Sequence, residues 1–587
     1  MSGTGITTGT VRGDGVDLAV YEQGDRSGPT VLLVHGYPDT HAVWDEVAER
    51  LAERHHVVRY DVRGAGASSR PAGREHYAFE RLMADLRAVL DATSPGRPVH
   101  LVGHDWGSIQ SWEAVCTMPE RFASFTSMSG PCLDHVALWT RRHASRPSPG
   151  NIRRGLGQGL RSWYIYLFQT PLLPELAWRA GVGRPFTKAL ELGEGVPARE
   201  GHPARTLAKD GAAGVGLYRA NMLQRLRRPQ ERRTDVPTQV IVPERDLFVS
   251  PHLVRGLAGH VPNLSLRPVP AGHWVVRSHP DVVARWIGEH ITQVEGGALT
   301  ATETRELRRA RVDRDRRPFE GSLVVVTGAG SGIGRATALA FAERGAEVIA
   351  ADLDPERAER TAVLTGLVGP SAHPYRIDVS DAAAMEDFAK NVLHEHGVPD
   401  VVVNNAGIGM AGPFLDHSVQ DWQRVLDVNL WGVIHGSRLF AAQMVERGQG
   451  GHIVNTASAA AFTPSRSLSA YATSKAAVLM LSECLRAELA GKGIGVSAIC
   501  PGIVNTNITR TSRFVGMSGR DEAANRKRAA RAYAMRNFGP EGVAERIVAA
   551  VREDRALVPV TPEAHLSYLN SRLTPRLMRL TARLKVT

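Results

Sequence analysis

Two groups of residues in this chain have the types and spacing to do chemistry. In the first, the apolar run Val99, Leu101 and Val102 leads into Gly103-His104-Asp105-Trp106-Gly107 and then into what should be a helix. This is the shape of the strand-turn-helix elbow that usually presents a nucleophilic serine, but the apex here is Asp105. A serine suits acyl transfer, because water can split its acyl ester, whereas a carboxylate suits attack on a strained or activated sp3 carbon and becomes an alkyl ester. In the second group, Tyr471-Ala472-Thr473-Ser474-Lys475 places a phenol and an amine one helical turn apart on one face. Lys475 as an ammonium favours the tyrosinate, so Tyr471 can take a proton from an alcohol or return one to a carbonyl near neutral pH. Upstream, LVVVT runs into Gly328-Ala329-Gly330-Ser331-Gly332-Ile333-Gly334 and the helix-like ATALAFAERG. The missing side chains let backbone approach a pyrophosphate at a helix N-terminus.

Elements must hold these groups in place, and the chain offers two sets of them. At 587 residues it is far longer than one typical domain of roughly 100–200 residues, so two cores are expected. Strand-like runs fall at 30–34, 98–102 and 237–242, and again at 323–327, 347–351, 400–404 and 452–455, alternating with helix-like runs. Both halves therefore read as parallel α/β domains. Between them, residues 296–318 are densely charged, poor in large apolar residues and closed by Pro318, which predicts a linker or a solvated helix. The expected division is 1–295, with a helical cap at about 131–232, then the linker 296–318 and a second domain 319–587.

Residues 15–295 resemble the α/β-hydrolase family, in particular its epoxide hydrolases. Four motifs carry the resemblance, in the family's order: His35-Gly36-Tyr37-Pro38, the Asp105 elbow, Pro243-Glu244-Arg245-Asp246 and Ala271-Gly272-His273-Trp274. The resemblance implies that Asp105 is the nucleophile and that water activated by His273 splits its ester. Asp246 would orient the imidazole, and the backbone N–H groups of Tyr37 and Trp106 would form the oxyanion hole. It also implies two cap tyrosines that protonate the epoxide oxygen. They map to Tyr164 in WYIYLFQTP, with Tyr166 as its neighbouring competitor, and to Tyr218 in LYRANM. The rival within the fold is a haloalkane dehalogenase, which shares the aspartate and the following tryptophan. Tyr37 occupies the slot where those enzymes carry a halide-binding amide, and halide needs no cap acids. His104 reads as a support residue, and the Arg-rich 141–155 as solvated cap surface.

Residues 319 to about 560 resemble the short-chain dehydrogenase/reductase family. The landmarks are the glycine run, Asp352 ending the next strand-like run, Asp378-Val379, Asn404-Asn405-Ala406-Gly407, Asn429 in DVNLWG, Ser458 after HIVNTA, the Tyr471/Lys475 pair and Pro501-Gly502-Ile503-Val504-Asn505-Thr506. The resemblance implies a cofactor site built from Gly328, Ser331, Gly332, Ile333, Gly334, Asp352, Asp378, Val379, Asn405, Ala406, Gly407, Tyr471, Lys475, Pro501, Gly502, Val504 and Thr506. Ser458 would position the substrate oxygen, and Asn429 would complete a proton relay. Asp352 would accept from the adenosine ribose and repel a 2′-phosphate, which favours NAD over NADP. Arg335, beside the phosphate loop, keeps NADP as the alternative. Family members commonly assemble as dimers or tetramers, so a homo-oligomer is expected.

Composition bounds the rest. Net charge is +11, but the arginines are scattered and no nucleic-acid motif accompanies them, so nucleic acid is not expected as a partner. The four cysteines, Cys116, Cys132, Cys484 and Cys500, form no CxxC pair, which predicts buried thiols and no metal site. No apolar run of about 18 residues and no secretory pattern is present, so a cytoplasmic address is expected. In the tail, Leu569, Leu573, Leu577, Leu580 and Leu584 recur at helical spacing among Arg572, Arg576, Arg579, Arg583 and Lys585, with Pro575 near a helix start. Such a helix can lie at an anionic membrane surface or pack its leucines on protein. The combined expectation is a bifunctional enzyme that hydrolyses an apolar, lipid-like epoxide to a vicinal diol and moves hydride between NAD and a secondary alcohol or ketone. The contrasting reading is an active dehydrogenase with a non-catalytic lipid-binding or assembly module in front.

Overall fold

The apolar runs become the spines of two sheets in the computed structural model, which describes residues 5–146, 148–254, 256–312, 316–506, 512–516 and 538–582. The chain divides into two units, Met1–Glu303 with Ala310–Arg314, and Thr304–Arg309 with Asp315–Thr587.

The first unit holds eight strands: β1 (Thr7–Arg12), β2 (Asp17–Gln23), β3 (Thr30–Val34), β4 (His56–Tyr60), β5 (Val99–His104), β6 (Phe122–Met128), β7 (Thr238–Pro243) and β8 (Leu264–Val269). They lie in the order β1-β2-β4-β3-β5-β6-β7-β8. Pairing is antiparallel at β1–β2 and β2–β4 and parallel from β4 onward. Strand β3 is buried at every position, as expected of a parallel strand covered on both faces. Its side chains alternate: Leu32 and Val34 join one core with Leu101 and Trp112, and Val31 and Leu33 join the other with Val102 and Trp286. Parallel connectivity brings the C-terminal ends of β3, β5, β7 and β8 to one edge, where loops can carry a site. Between β6 and β7 the chain leaves the sheet for a run of helices from Leu133 to Arg227, the cap.

The second unit has a seven-stranded, wholly parallel sheet of β9 (Leu323–Thr327), β10 (Glu347–Asp352), β11 (Ala372–Arg376), β12 (Val401–Asn404), β14 (Gly451–Thr456), β15 (Ile494–Cys500) and β17 (Leu557–Pro559). Short strands β13 (Met410–Ala411) and β16 (Arg513–Phe514) pair separately. The order β11-β10-β9-β12-β14-β15-β17 reverses between β9 and β12, the switch point at which doubly wound sheets bind ligands.

Two expectations need adjustment. The charged segment 296–318 contains a helix, Ala301–Ala310, and it is not solvated throughout, because Arg305, Glu306, Leu307 and Ala310 are buried. Arg305 pairs with Glu347 at 3.4 Å and Arg309 with Asp400; the run of charge reflects specific partners as well as solubility. The cysteines are not uniformly buried, since Cys484 is exposed and Cys116 half-buried. The tail forms helices Pro562–Leu573 and Pro575–Thr581 with Leu569, Leu573, Leu577 and Leu580 exposed, while Arg583, Leu584 and Lys585 lie outside the described residues. No described helix is long and apolar enough to cross a membrane.

Candidate active sites

The elbow is built where β5 meets helix Trp106–Thr117. Asp105 has φ 51° and ψ −122°, a strained backbone for a non-glycine residue that costs about 1–3 kcal/mol and needs support from its surroundings. The supports are close backbone approaches: a side chain on Gly107 would fall on the Val34 carbonyl, and one on Gly130 on the Asp105 carbonyl. So tight a turn presents the carboxylate to the Tyr37 amide and to His273. There Asp105 Oδ1 accepts from the Tyr37 N–H at 2.7 Å, and Asp105 Oδ2 lies 3.5 Å from His273 Nε2. The other ring nitrogen of His273 is 2.9 Å from Asp246 Oδ2, whose Oδ1 accepts from the amides of Phe248 at 2.8 Å and Val249 at 2.9 Å. Trp106, the first helical residue, is buried with its ring 4.9 Å from that of Tyr218.

Burial opposes charge on His273, but the Asp246 carboxylate and then hydrogen bonds to Asp105 and Asp246 outweigh it, so its pKa stands well above the ordinary value. Burial likewise opposes ionised Asp246, and the charge of His273 with its hydrogen bond holds the pKa below the usual range. The three side chains thus form one electrostatic unit. His104 Nε2 donates to the His273 carbonyl at 2.9 Å, and Ser129 Oγ donates to the same oxygen at 2.9 Å. Both fix the histidine loop from behind.

Cap helices bring two phenols over the carboxylate. Tyr164, on helix Trp163–Phe168, and Tyr218, on helix Leu207–Arg227, have ring centroids 5.9 Å apart. Burial raises the pKa of each; the Asp105 charge adds to it for both, and for Tyr218 the neighbouring Tyr164 adds more. Tyr166 points away and is exposed, because two residues along a helix turn the side chain by about 200°. Phe168, Tyr37 and Phe248 complete an aromatic lining. Sequence reasoning missed Glu194, whose carboxylate reaches the Trp274 amide at 3.4 Å and stands over Gly272. Burial raises its pKa against the opposing pull of His273. No local signal could have found it, since it closes a cap helix far from any motif. Phe248, two residues beyond Asp246, carries a weak signal as an aromatic beside a motif acid.

The second site lies at the switch point. Gly328 and Gly332 have φ of 65° and 53°, and a side chain on Gly334 would strike the Gly328 carbonyl. Ser331 caps helix Gly332–Glu343, and Ile333 packs on the adjoining core. Asp352, the last residue of β10, accepts from the Gly330 amide at 2.8 Å. Arg335 is turned to Thr361 and to the Gly330 carbonyl rather than to Asp352. Asp378 is exposed and holds Ser380, while Val379 is buried against Gly432. Asn405 and Ala406 donate their amides to Thr327 Oγ1 at 3.1 and 3.2 Å. Gly407 leaves a gap beside Asn429 and Lys475 that a side chain would narrow.

On helix Ser469–Leu489, Lys475 Nζ lies 5.9 Å from the Tyr471 ring centroid and donates to the Thr456 carbonyl at 2.8 Å. Burial lowers the Lys475 pKa to about 8, with Cys500 pulling the other way. Asn429 is fully buried; it accepts from the Ile408 amide at 2.8 Å and donates to Ser474 Oγ at 3.2 Å, tying the loop after β12 to the Tyr471 helix. Ser458 follows β14, with Oγ 3.5 Å from the Pro501 carbonyl. Gly502 stands over Thr561 and Glu563, Val504 is buried, and Thr506 is the residue a side chain on Gly332 would meet at 3.2 Å. The glycine cradle at a helix start and the terminal carboxylate fit a dinucleotide: Gly328–Gly334 would take the pyrophosphate, Asp352 the ribose, and Asn405–Gly407 with 501–506 the nicotinamide side.

Elsewhere, ligand atoms of Glu347, His373 and His396 lie within 4.8 Å of one another. Arg305 and His373 already compensate the carboxylate, at 3.4 and 3.0 Å, and the group reads as an ion-pair cluster.

Comparison with known proteins agrees with this division. The family model described as alpha/beta hydrolase fold matches residues 29–280, and that described as short chain dehydrogenase matches 322–514. The protein named "Probable oxidoreductase EphD" of Mycobacterium tuberculosis (strain ATCC 25618 / H37Rv) is 44% identical over 582 residues, covering 98% of this chain and 98% of that one. A 2,3-dihydro-2,3-dihydroxybenzoate dehydrogenase of Bacillus subtilis (strain 168) is 36% identical over 190 residues, 32% of this chain and 72% of its own. A crystal structure of Bacillus megaterium epoxide hydrolase with an inhibitor covers 48% of this chain and 100% of that one at 22% identity and TM-score 0.42.

Proposed function

Because this chain belongs to the family of fusion enzymes that join an epoxide hydrolase-like α/β hydrolase to a short-chain dehydrogenase, we propose that it opens apolar epoxides through an Asp105 ester and oxidises or reduces a secondary alcohol or ketone with NAD. One observation carries the first reading: the Asp105, His273 and Asp246 side chains meet at 3.5 and 2.9 Å beneath two phenols. Asp105 attacks an epoxide carbon and the carbon–oxygen bond breaks, with Tyr164 and Tyr218 donating to the departing oxygen. His273 then takes a proton from water as the water adds to the aspartyl carbonyl, whose oxyanion the Tyr37 and Trp106 amides hold. On collapse the new carboxyl proton passes to the departing alkoxide, which releases the diol and the Asp105 carboxylate, and the proton held by His273 returns to the phenol that protonated the epoxide oxygen. Two phenols over the carboxylate favour an epoxide over a haloalkane, since halide leaves without a proton. The aromatic lining favours an apolar substrate.

In the second site, a nicotinamide dinucleotide held by Gly328–Gly334, Asp352 and Asn405–Gly407 would accept hydride when oxidised or supply it when reduced. Tyr471 moves the alcohol proton, Lys475 favours its ionised form, and Ser458 holds the substrate oxygen. Asn429 supports the helix that carries Tyr471 and Lys475. The Asp352 carboxylate, with Arg335 engaged elsewhere, favours NAD over NADP.

Single-turnover reaction with styrene oxide in heavy-oxygen water, followed by mass spectrometry of the elbow peptide, tests the ester. Label enters Asp105, and His273→Gln accumulates the alkylated peptide. Tyr164→Phe lowers turnover roughly 10-fold or more and Tyr166→Phe leaves it unchanged. Undiminished hydrolysis by Asp105→Ala would sink the reading.

A further inference from the structure

The cap carries a helix whose apolar face is left bare among the described residues. Helix Pro149–Arg161 has no buried residue. Its apolar side chains, spaced for one face, are turned outward: Ile152 is 53% exposed, Leu156 65% and Leu160 77%, and Trp163 just beyond is 63% exposed. Leu172, Leu173 and Leu176 nearby in sequence are also more than half exposed. The same helix holds Gly150, Gly155, Gly157 and Gly159, three of which would meet nothing within 4 Å if given a side chain. Each glycine disfavours the helix relative to alanine, and a 13-residue helix without packing is marginal in water. Sequence and structure therefore describe a helix that gains its stability from a surface laid against its apolar face.

Charge says which surface. Residues 141–188 contain nine cationic side chains, Arg141, Arg142, Arg146, Arg153, Arg154, Arg161, Arg179, Arg184 and Lys188, and one acidic one, Glu175. Glu175 is already paired with Arg219, and none of the nine forms an ion pair among the described residues. A second copy of the chain would set like charge against like across a two-fold interface. An anionic bilayer accepts both features, taking leucine, isoleucine and tryptophan into the acyl boundary while headgroups meet the arginines. We propose that this cap face docks on the surface of an anionic membrane. The helix touches the hydrolase loops through Gln158, which donates to the Phe248 carbonyl at 3.0 Å and accepts from the Ser250 amide at 3.0 Å. Those residues flank the Asp246 turn, and Tyr164 follows the exposed Trp163. Docking thus places the mouth of the hydrolase site where apolar molecules partition. The inference concerns the cap surface and holds whichever reaction the site beneath it performs.

The full-length protein is mixed with phosphatidylcholine vesicles, with and without phosphatidylglycerol, and sedimented. The expected result is binding to phosphatidylglycerol-containing vesicles that weakens with salt. A blue shift in emission should accompany it and be smaller in Trp163→Phe. Leu156→Asp/Leu160→Asp should lower the partition coefficient at least about tenfold with unchanged circular dichroism. Arg153→Glu/Arg154→Glu serves as a second variant that leaves the apolar stripe intact, and it should also weaken binding. Three results overturn the proposal: no binding to anionic vesicles; binding that survives both variants and is lost instead in Leu573→Asp/Leu577→Asp; or vesicle-free self-association that Leu156→Asp/Leu160→Asp abolishes.

Discussion

His273 faces two carboxylates and so prefers to be charged, yet splitting an ester requires it neutral. The proposed ester mechanism would resolve this: with Asp105 alkylated its charge would be gone, one of the groups that raises the imidazole pKa would disappear, and His273 would become a base when a base is needed. Asp246 would remain and keep the pKa up, so hydrolysis by that route should have an acid limb set by His273 in the ester. In Asp246→Asn that support is lost, the His273 pKa falls, and the acid limb of the kcat profile moves to lower pH while the rate drops roughly 100-fold or more. A limb that stays in place or moves to higher pH, measured on purified variant over the range in which it stays folded, would count against the assignment. Lys475 has the opposite sign of shift: burial brings its pKa down to about 8, so the native ammonium is lost above about pH 8 while the unfolded lysine stays charged to about 10.4. Its burial therefore destabilises the second unit below pH 8, and that cost is relieved as pH rises between those two values.

Among the elements, the turns matter more than the helices and strands they join. The Asp105 elbow exists because Gly107 lets the helix start against the β3 carbonyl edge. In the proposed nucleotide site, Asp352 closes on the Gly330 amide from one strand end and would present negative charge where a 2′-phosphate would sit. Asp352→Ala should raise the ratio of NADP to NAD turnover about tenfold or more, a difference of about 1.4 kcal/mol. Steady-state kinetics with both nucleotides measures it. An unchanged ratio would move cofactor choice to Arg335. The π-turn at Asp427–Trp431 is a further local departure, and it holds Asn429 against the loop after β12.

At the scale of the whole molecule the two units carry separate chemistry with a shared logic, since a vicinal diol contains the secondary alcohol that a dehydrogenase can oxidise. Covalent linkage raises local concentration only when product passes between sites. Supplied with epoxide and NAD, the intact chain should form hydroxyketone and NADH. Asp105→Ala should abolish NADH formation from epoxide yet leave oxidation of added diol at the original rate; Tyr471→Phe should stop at diol. Diol with no NADH from the intact chain would break the link and leave two independent enzymes. The outward-facing apolar cap fits a substrate that reaches the first unit from a lipid phase.

The sequence by itself determined the two α/β units, the strand order's raw material and the motif-borne residues. Apolar runs of β length bounded by glycine loops are local signals, and the elbow, the glycine cradle and the Tyr471/Lys475 pair each sit within a few residues of one another. Tertiary structure alone decided which of Tyr164 and Tyr166 faces Asp105, because a two-residue step on a short half-apolar helix is settled by what packs on it. Only folding, too, set Glu194 over the histidine loop, turned Arg335 from Asp352, and buried the charged helix Ala301–Ala310 through partners distant in sequence. The bare apolar face of helix Pro149–Arg161 belongs with these, since a stripe of leucines reads as core until the fold leaves nothing on top of it.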